Sequence, residues 1–86
     1  LLYFEIAIIN KDLNRIPEFL FKNLNSSLVD LKLYHNEINM IETNAFQSNQ
    51  LINTLKTLNL EKNNLVDLDE NTFKNLRNLY VLNLRQ

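Results

Sequence analysis

The sequence contains no cysteine, no glycine, no tryptophan and a single proline, Pro17. Without cysteine there is no disulfide scaffold, no thiolate zinc site and no cysteine nucleophile within these residues. Without glycine there is no glycine-rich phosphate loop. Ordinary domains use glycine at about 7%, so this chain has few tight turns of positive φ unless asparagine supplies them. Charge of one sign is also missing: nine Lys and Arg stand against ten Asp and Glu, for a net charge of −1. That balance leaves no basic stripe to release counterions, which removes the electrostatic case for nucleic acid or an anionic lipid surface. The longest apolar run, residues 1–9, is interrupted by Glu5. No basic segment precedes it and no small-residue cleavage site follows, so it does not read as a secretory signal or a direct membrane insertion. At 86 residues the chain suffices for one small domain.

Leucine and asparagine are abundant instead, with 18 and 16 copies, and the leucines recur at fixed intervals. Leu28, Leu31, Leu33, Asn36 and Ile38 follow the spacing L-x-x-L-x-L-x-x-N-x-L, and Leu55, Leu58, Leu60, Asn63 and Leu65 follow it again. Leu79, Leu82 and Leu84 begin it once more, and the chain stops one residue before the next expected Asn. Beyond each Asn the apolar residues continue at two, three and five residues: Ile38, Ile41 and Phe46, then Leu65, Leu68 and Phe73. The amino-terminal stretch fits more loosely, with Ile6 and Ile8 as the strand pair, then Leu13, Ile16 and Phe21. There Lys11 occupies the Asn position and Asn10 lies one residue early. Shifting the frame to use Asn10 would bury Glu5 and Ala7, so Ile6 and Ile8 are expected inside, with room for an irregularity between Ile8 and Leu13. The repeats then span residues 3–27, 28–54 and 55–78, with a partial unit at 79–86, in a single array covering 1–86. The extra residues of the first two, 25–27 and 48–54, are expected in loops outside the sheet.

Alternation at Leu31/Leu33 and Leu58/Leu60 has period two, so these side chains share one strand face while Lys32 and Asn59 take the other. One such strand cannot bury its face alone. Stacking successive units makes a parallel sheet whose inner side meets Leu13/Ile16, Ile38/Ile41 and Leu65/Leu68 and a row of Phe21, Phe46 and Phe73. Asn36 and Asn63 fall at the turn out of the strand, where an amide can donate to and accept from backbone groups the turn leaves unpaired. Asn64, Asn71, Asn75 and Asn78 read as surface turns in which Asn replaces Gly.

These residues resemble the leucine-rich repeat family over essentially the whole chain. The 24-residue unit at 55–78, with Phe73 and Leu76 in its second half, is similar to the "typical" subclass of animal extracellular and cell-surface proteins. The resemblance implies an α/β repeat solenoid: a right-handed superhelix with a short parallel sheet on the concave face and irregular or short helical segments on the convex face. It also implies a protein-binding recognition module from a receptor, adhesion or matrix protein at the cell surface or outside the cell. An intracellular scaffold or non-catalytic regulatory subunit of the same architecture, in the cytoplasm, is the alternative. Because neither end carries a polar cap, the isolated chain is expected to be marginally stable or to self-associate.

Function should lie on the outward face of the sheet, as columns across strands about 4.8 Å apart. The columns are Glu5, Asp30, Thr57, Val81; then Ala7, Lys32, Asn59, Asn83; then Ile9, Tyr34, Glu61, Arg85; then Asn10, His35, Lys62, Gln86. Asp30, Lys32, Tyr34, His35, Thr57, Asn59, Glu61, Lys62, Val81, Asn83 and Arg85 are the candidate partner-binding residues, with Tyr34 and Arg85 of types enriched at interface hot spots. Glu61 beside Arg85 reads as a cross-strand ion pair. His35, the only histidine, has Asp30, Glu37 and Glu61 nearby in no recognised ligand spacing, so no metal and no cofactor is expected. Serine occurs only at 26, 27 and 48, leaving no Ser-His-Asp arrangement and no catalytic residue. Asp67 and Asp69 read as solvent-facing residues flanking Leu68. Asn25-Ser26-Ser27 is the one N-glycosylation sequon, accessible in an inserted segment.

Overall fold

The computed structural model of the protein describes residues 3–24, 27–47 and 49–86. Its elements are β1 (Tyr3–Ala7), β2 (Arg15–Ile16), β3 (Ser27–Lys32), β4 (Met40–Ile41), α1 (Asn49–Thr54), β5 (Thr57–Asn59) and β6 (Val81–Asn83). The strands form two parallel sheets, one of four strands in the order β1-β3-β5-β6 and one of two strands, β2-β4. Chain-neighbouring strands of the larger sheet are also its spatial neighbours. Each connection therefore leaves the sheet, runs through the far side of the molecule and returns, which is what parallel pairing requires.

The apolar alternation produces this arrangement directly. Leu31 pairs with Leu58 and Leu58 with Leu82, so inward residues stack on inward residues. Leu28, Leu31 and Leu58 of the large sheet and Leu33, Leu55 and Leu60 flanking its strands share one core with Ile16 and Ile41 of the small sheet and with Ile38, all of them buried. Each such side chain is worth roughly 1.5–3 kcal/mol when fully buried. Phe46 closes the layer. Its ring lies 6.0 Å from that of Phe21, stacked, and 5.7 Å from that of Phe73, tilted. Aromatic pairs at such separations add about 0.5–1.5 kcal/mol beyond their buried area.

Several details differ from the reading of the sequence. Residues 49–54 form a helical turn rather than a loop: Leu51 is fully buried, Leu55 N–H donates to Leu51 C=O, and the Thr54 hydroxyl donates to Leu28 C=O at 2.9 Å. The physical reason is the four-residue spacing of Leu51 and Leu55, which one helical turn drops onto the same core. At the other end Ile6 lies opposite Leu31 and lines an apolar cavity with Ile8, but Ile8 remains 37% exposed and Leu82 40%. Leu82 belongs to the edge strand β6, and Ile8 directly follows the other edge strand, β1. A β-bulge between Phe4 and Glu5 skips Val29 in the pairing of β1 with β3.

The asparagines do not replace glycine as expected. Positive φ among the described residues occurs at Asn10, Asp12, Phe19, His35 and Lys62, and at none of Asn64, Asn71, Asn75 or Asn78. Asn71 instead receives its turn from a neighbour, its N–H donating to the Asp69 carboxylate at 2.8 Å. Asn10, His35 and Lys62 occupy one equivalent position, just past the strand, so the left-handed residue is a demand of the turn out of the sheet. Outside glycine that conformation costs roughly 1–2 kcal/mol, less for Asn. Positive φ on both sides of Lys11 is the irregularity of the first unit.

Leu51 tests whether the helical turn belongs to the core. Leu51→Ala is expected to lower stability by about 2–5 kcal/mol, and Val66→Ser, at a residue 86% exposed, by less than about 0.5 kcal/mol. Urea denaturation followed by circular dichroism compares them.

Candidate functional site

The pairing of the large sheet arrays its outward residues. Glu5, Asp30, Thr57 and Val81 lie in register, as do Ala7, Lys32, Asn59 and Asn83. Beyond the last assigned strand residues the alignment persists: His35 N–H donates to Glu61 C=O at 2.9 Å and Lys62 N–H to Arg85 C=O at 2.7 Å. Tyr34 thus stays beside Glu61, and Glu61 beside Arg85.

Side chains on this face hold one another. Lys32 Nζ sits 3.2 Å from Glu5 Oε1 and 3.9 Å from Asp30 Oδ2, while the Thr57 hydroxyl donates to Asp30 Oδ1 at 2.5 Å. One cation therefore ties two carboxylates on adjacent strands. The hydrogen bond to Glu5, then the Glu5 charge, raises the Lys32 ammonium above its ordinary 10.5. Asn59 Oδ1 accepts from Glu61 N–H at 2.9 Å, and Asn83 Oδ1 accepts from Arg85 N–H at 3.0 Å. Both close a side-chain turn at the strand end. The expected Glu61–Arg85 ion pair is not formed: Glu61 Oε1 accepts from Asn83 Nδ2 at 3.0 Å. The Asn83 side chain is already fixed by its own turn, whereas an exposed guanidinium gains little from a surface pair and loses rotamer freedom in making one. The Tyr34 and His35 rings meet edge to face, with centroids 5.5 Å apart.

Below the face runs a row of buried amides. Asn36 Nδ2 donates to Ile8 C=O at 2.6 Å and Leu33 C=O at 3.1 Å, and its Oδ1 accepts from Lys11 N–H at 2.9 Å. Asn63 does the same one unit later, donating to Leu33 and Leu60 C=O at 3.0 and 2.9 Å and accepting from Ile38 N–H at 3.0 Å. Each amide ties its own turn to the preceding unit. Gln86, expected in an outward column, makes the same kind of contacts although it is exposed: its Nε2 donates to Leu84 C=O at 2.7 Å and Leu60 C=O at 3.3 Å, and its Oε1 accepts from Leu65 N–H at 2.8 Å. One residue earlier along the chain, an amide with one more methylene reaches the same groups. That pairing of position and side-chain length is the signal by which the sequence could have revealed it.

No protein-family model matches the chain, and neither a curated protein nor a solved structure matches it. The site must therefore be judged on its own chemistry. Asn25, the sequon residue, lies outside the described residues. Asp67 and Asp69 are exposed. Among the described residues no group of three or more His, Asp or Glu side chains stands together as a metal site, and no helix is long and apolar enough to cross a membrane. What the face offers is a set of fixed hydrogen-bonding groups, an aromatic pair, and the cations Lys62 and Arg85, for which no ion pair is found among the described residues.

Asn36→Ala and Asn63→Ala orphan buried backbone groups and are each expected to cost about 1–3 kcal/mol in chemical denaturation. The Lys32 ammonium sets a pH signature. A lysine held above its unfolded value contributes stability that is fully present below that unfolded value and is lost as pH rises through the folded one. The stability difference between wild type and Lys32→Met should stay constant between about pH 6 and 9 and shrink only above about pH 10.5, measured by urea titration at each pH.

Proposed function

We propose that the chain is part of a leucine-rich repeat array, coiled as a right-handed solenoid with the four-stranded sheet on its concave side, and that this face binds a protein. The observation that carries the reading is the outward face of the sheet. Its in-register columns from Glu5 to Arg85 are braced by Lys32, Asn59 and Asn83, and no second layer of the described residues covers them. A face already fixed in the free protein loses little side-chain entropy on binding, which favours recognition by a rigid partner. The amide row supports the array reading, since each rung joins one unit to the one before it.

The partner is a protein in the extracellular space or at a cell surface. The Phe-containing 24-residue unit at 55–78 and the sequon at Asn25 favour that setting over the cytoplasm. No residue is assigned to catalysis, and no cofactor, metal or nucleic acid enters the reading. Tyr34 and Arg85 are the anchors, and Asp30, His35, Thr57, Asn59, Glu61, Lys62, Val81 and Asn83 form the surround.

Panning the immobilised chain against an array of secreted proteins supplies a partner. The combined reversal Lys32→Glu, Glu61→Lys and Arg85→Glu is then expected to weaken its binding at least about tenfold, which corresponds to about 1.4 kcal/mol. Val66→Glu, on the segment that leads away from the sheet, should leave the affinity unchanged. Equal affinity of the triple variant and wild type in surface plasmon resonance overturns the sheet-face reading.

A further inference from the structure

Around the small sheet, the bonding between units is uneven. The first two units are joined there by Glu37 N–H to Leu13 C=O, Asn39 N–H to Asn14 C=O and Glu42 N–H to Ile16 C=O, each at 3.0 Å. The next unit repeats only the first of these, with Asn64 N–H donating to Ile38 C=O at 2.8 Å. Val66 and Asp69 stand to Asn63 as Asn39 and Glu42 stand to Asn36, so their N–H groups are due at Asn39 C=O and Ile41 C=O. Neither bond is formed, and neither N–H has another acceptor among the described residues. The strand row β2-β4 therefore stops at β4 and leaves an open edge.

A groove of about 500 Å³ occupies this opening, lined by residues 39–43 on one side and by Val66, Asp67 and Asp69 on the other. Its apolar part is Met40, half-exposed, and Val66, almost fully exposed. Its charge is negative. Arg15 neutralises Glu42 at 2.6 Å, but Asp67 and Asp69 take part in no ion pair among the described residues, and no Lys or Arg lines the groove. Asp69 uses one acceptor site on Asn71 N–H at 2.8 Å, of the roughly four that a carboxylate offers.

We propose that this edge takes up an extended basic segment of another protein as the third strand of the small sheet. The N–H groups of the segment donate to Asn39 and Ile41 C=O, and its C=O groups accept from Val66 and Asp69 N–H. An apolar side chain covers Met40 and Val66, and its cations meet Asp67 and Asp69. Strand addition draws affinity from such main-chain bonds and specificity from alternate side chains. A second copy of this chain pairing through the same edge would set its own Asp67 and Asp69 against these carboxylates, and like charges on facing strands repel. An acidic segment meets the same repulsion. This edge is separate from the outward face of the large sheet, and the proposal stands independently of what that face binds.

The test titrates three blocked pentapeptides into the full 15N-labelled chain: alternating lysine and valine, the same sequence methylated at its backbone nitrogens, and alternating glutamate and valine. The first is expected to move the Val66 and Asp69 amide protons downfield, to slow their exchange with solvent, and to bind at least about tenfold more tightly than either of the others. Asp67 is exposed, so Asp67→Asn should unfold at the same urea concentration as wild type while weakening the lysine peptide about threefold. Equal binding of the methylated or the glutamate peptide, an indifferent Asp67→Asn, shifts centred on Thr57 and Asn59, or no shift at Val66 and Asp69 with millimolar lysine peptide overturns the strand addition.

Discussion

The structure depends on how a very short strand is allowed to end. Each strand contributes a few inward leucines and then turns sharply through a left-handed residue at His35 or Lys62. That turn leaves carbonyl and N–H groups inside the molecule without sheet partners, and an unpaired buried polar group costs as much as a lost hydrogen bond. The Asn36 and Asn63 amides answer this demand, because one planar group both donates and accepts across two units at once. Stacking of the leucines and satisfaction of the turn thus become one event. Neither would hold without the other: the apolar rows have no neighbour to bury against if the turns drift, and the turns have no partner if the rows do not stack.

The same constraint explains the outward face. Once the turns are locked unit to unit, the outward residues of successive strands are forced into columns. Lys32 then has Glu5 and Asp30 on its flanks, and Asn83 has Glu61. These contacts are half-buried and individually small. Their consequence is order rather than stability, and an ordered polar face is what a binding surface uses. The bulge at Phe4/Glu5 shifts the pairing of β1 with β3 just before the first of these columns.

Much of this was legible from residue spacing. The columns through Asp30/Thr57/Val81 and Lys32/Asn59/Asn83 follow from period-two alternation with equal intervals from each Asn, and the strand register carries the same partners. The row of Phe21, Phe46 and Phe73 follows from the shared five-residue interval, and the rings meet. What escaped was whatever depended on side-chain reach or on three-dimensional competition. Leu51 sits in an insertion whose helical turn is visible only when Leu55 is recognised as its partner four residues on. Gln86 looks like one more outward residue unless the length of its side chain is set against the reach of Asn36 and Asn63. Glu61 has two candidates on the facing strand, and only the packing shows that the shorter, already fixed Asn83 prevails over Arg85.

By itself the sequence determined the periodicity: the alternation of Leu31/Leu33 and Leu58/Leu60, the places of Asn36 and Asn63 at the turns out of the strands, and, within these residues, the lack of any chemistry that needs cysteine or glycine. These are local properties, because side-chain alternation and turn chemistry are settled by residues within a few positions of one another. Tertiary structure alone decided the left-handed residues at His35 and Lys62, the burial of Leu51, the partner of Glu61 and the bulge at Phe4/Glu5. Each depends on distances between groups some 20 to 30 residues apart in the chain, and those distances exist only once the units have stacked.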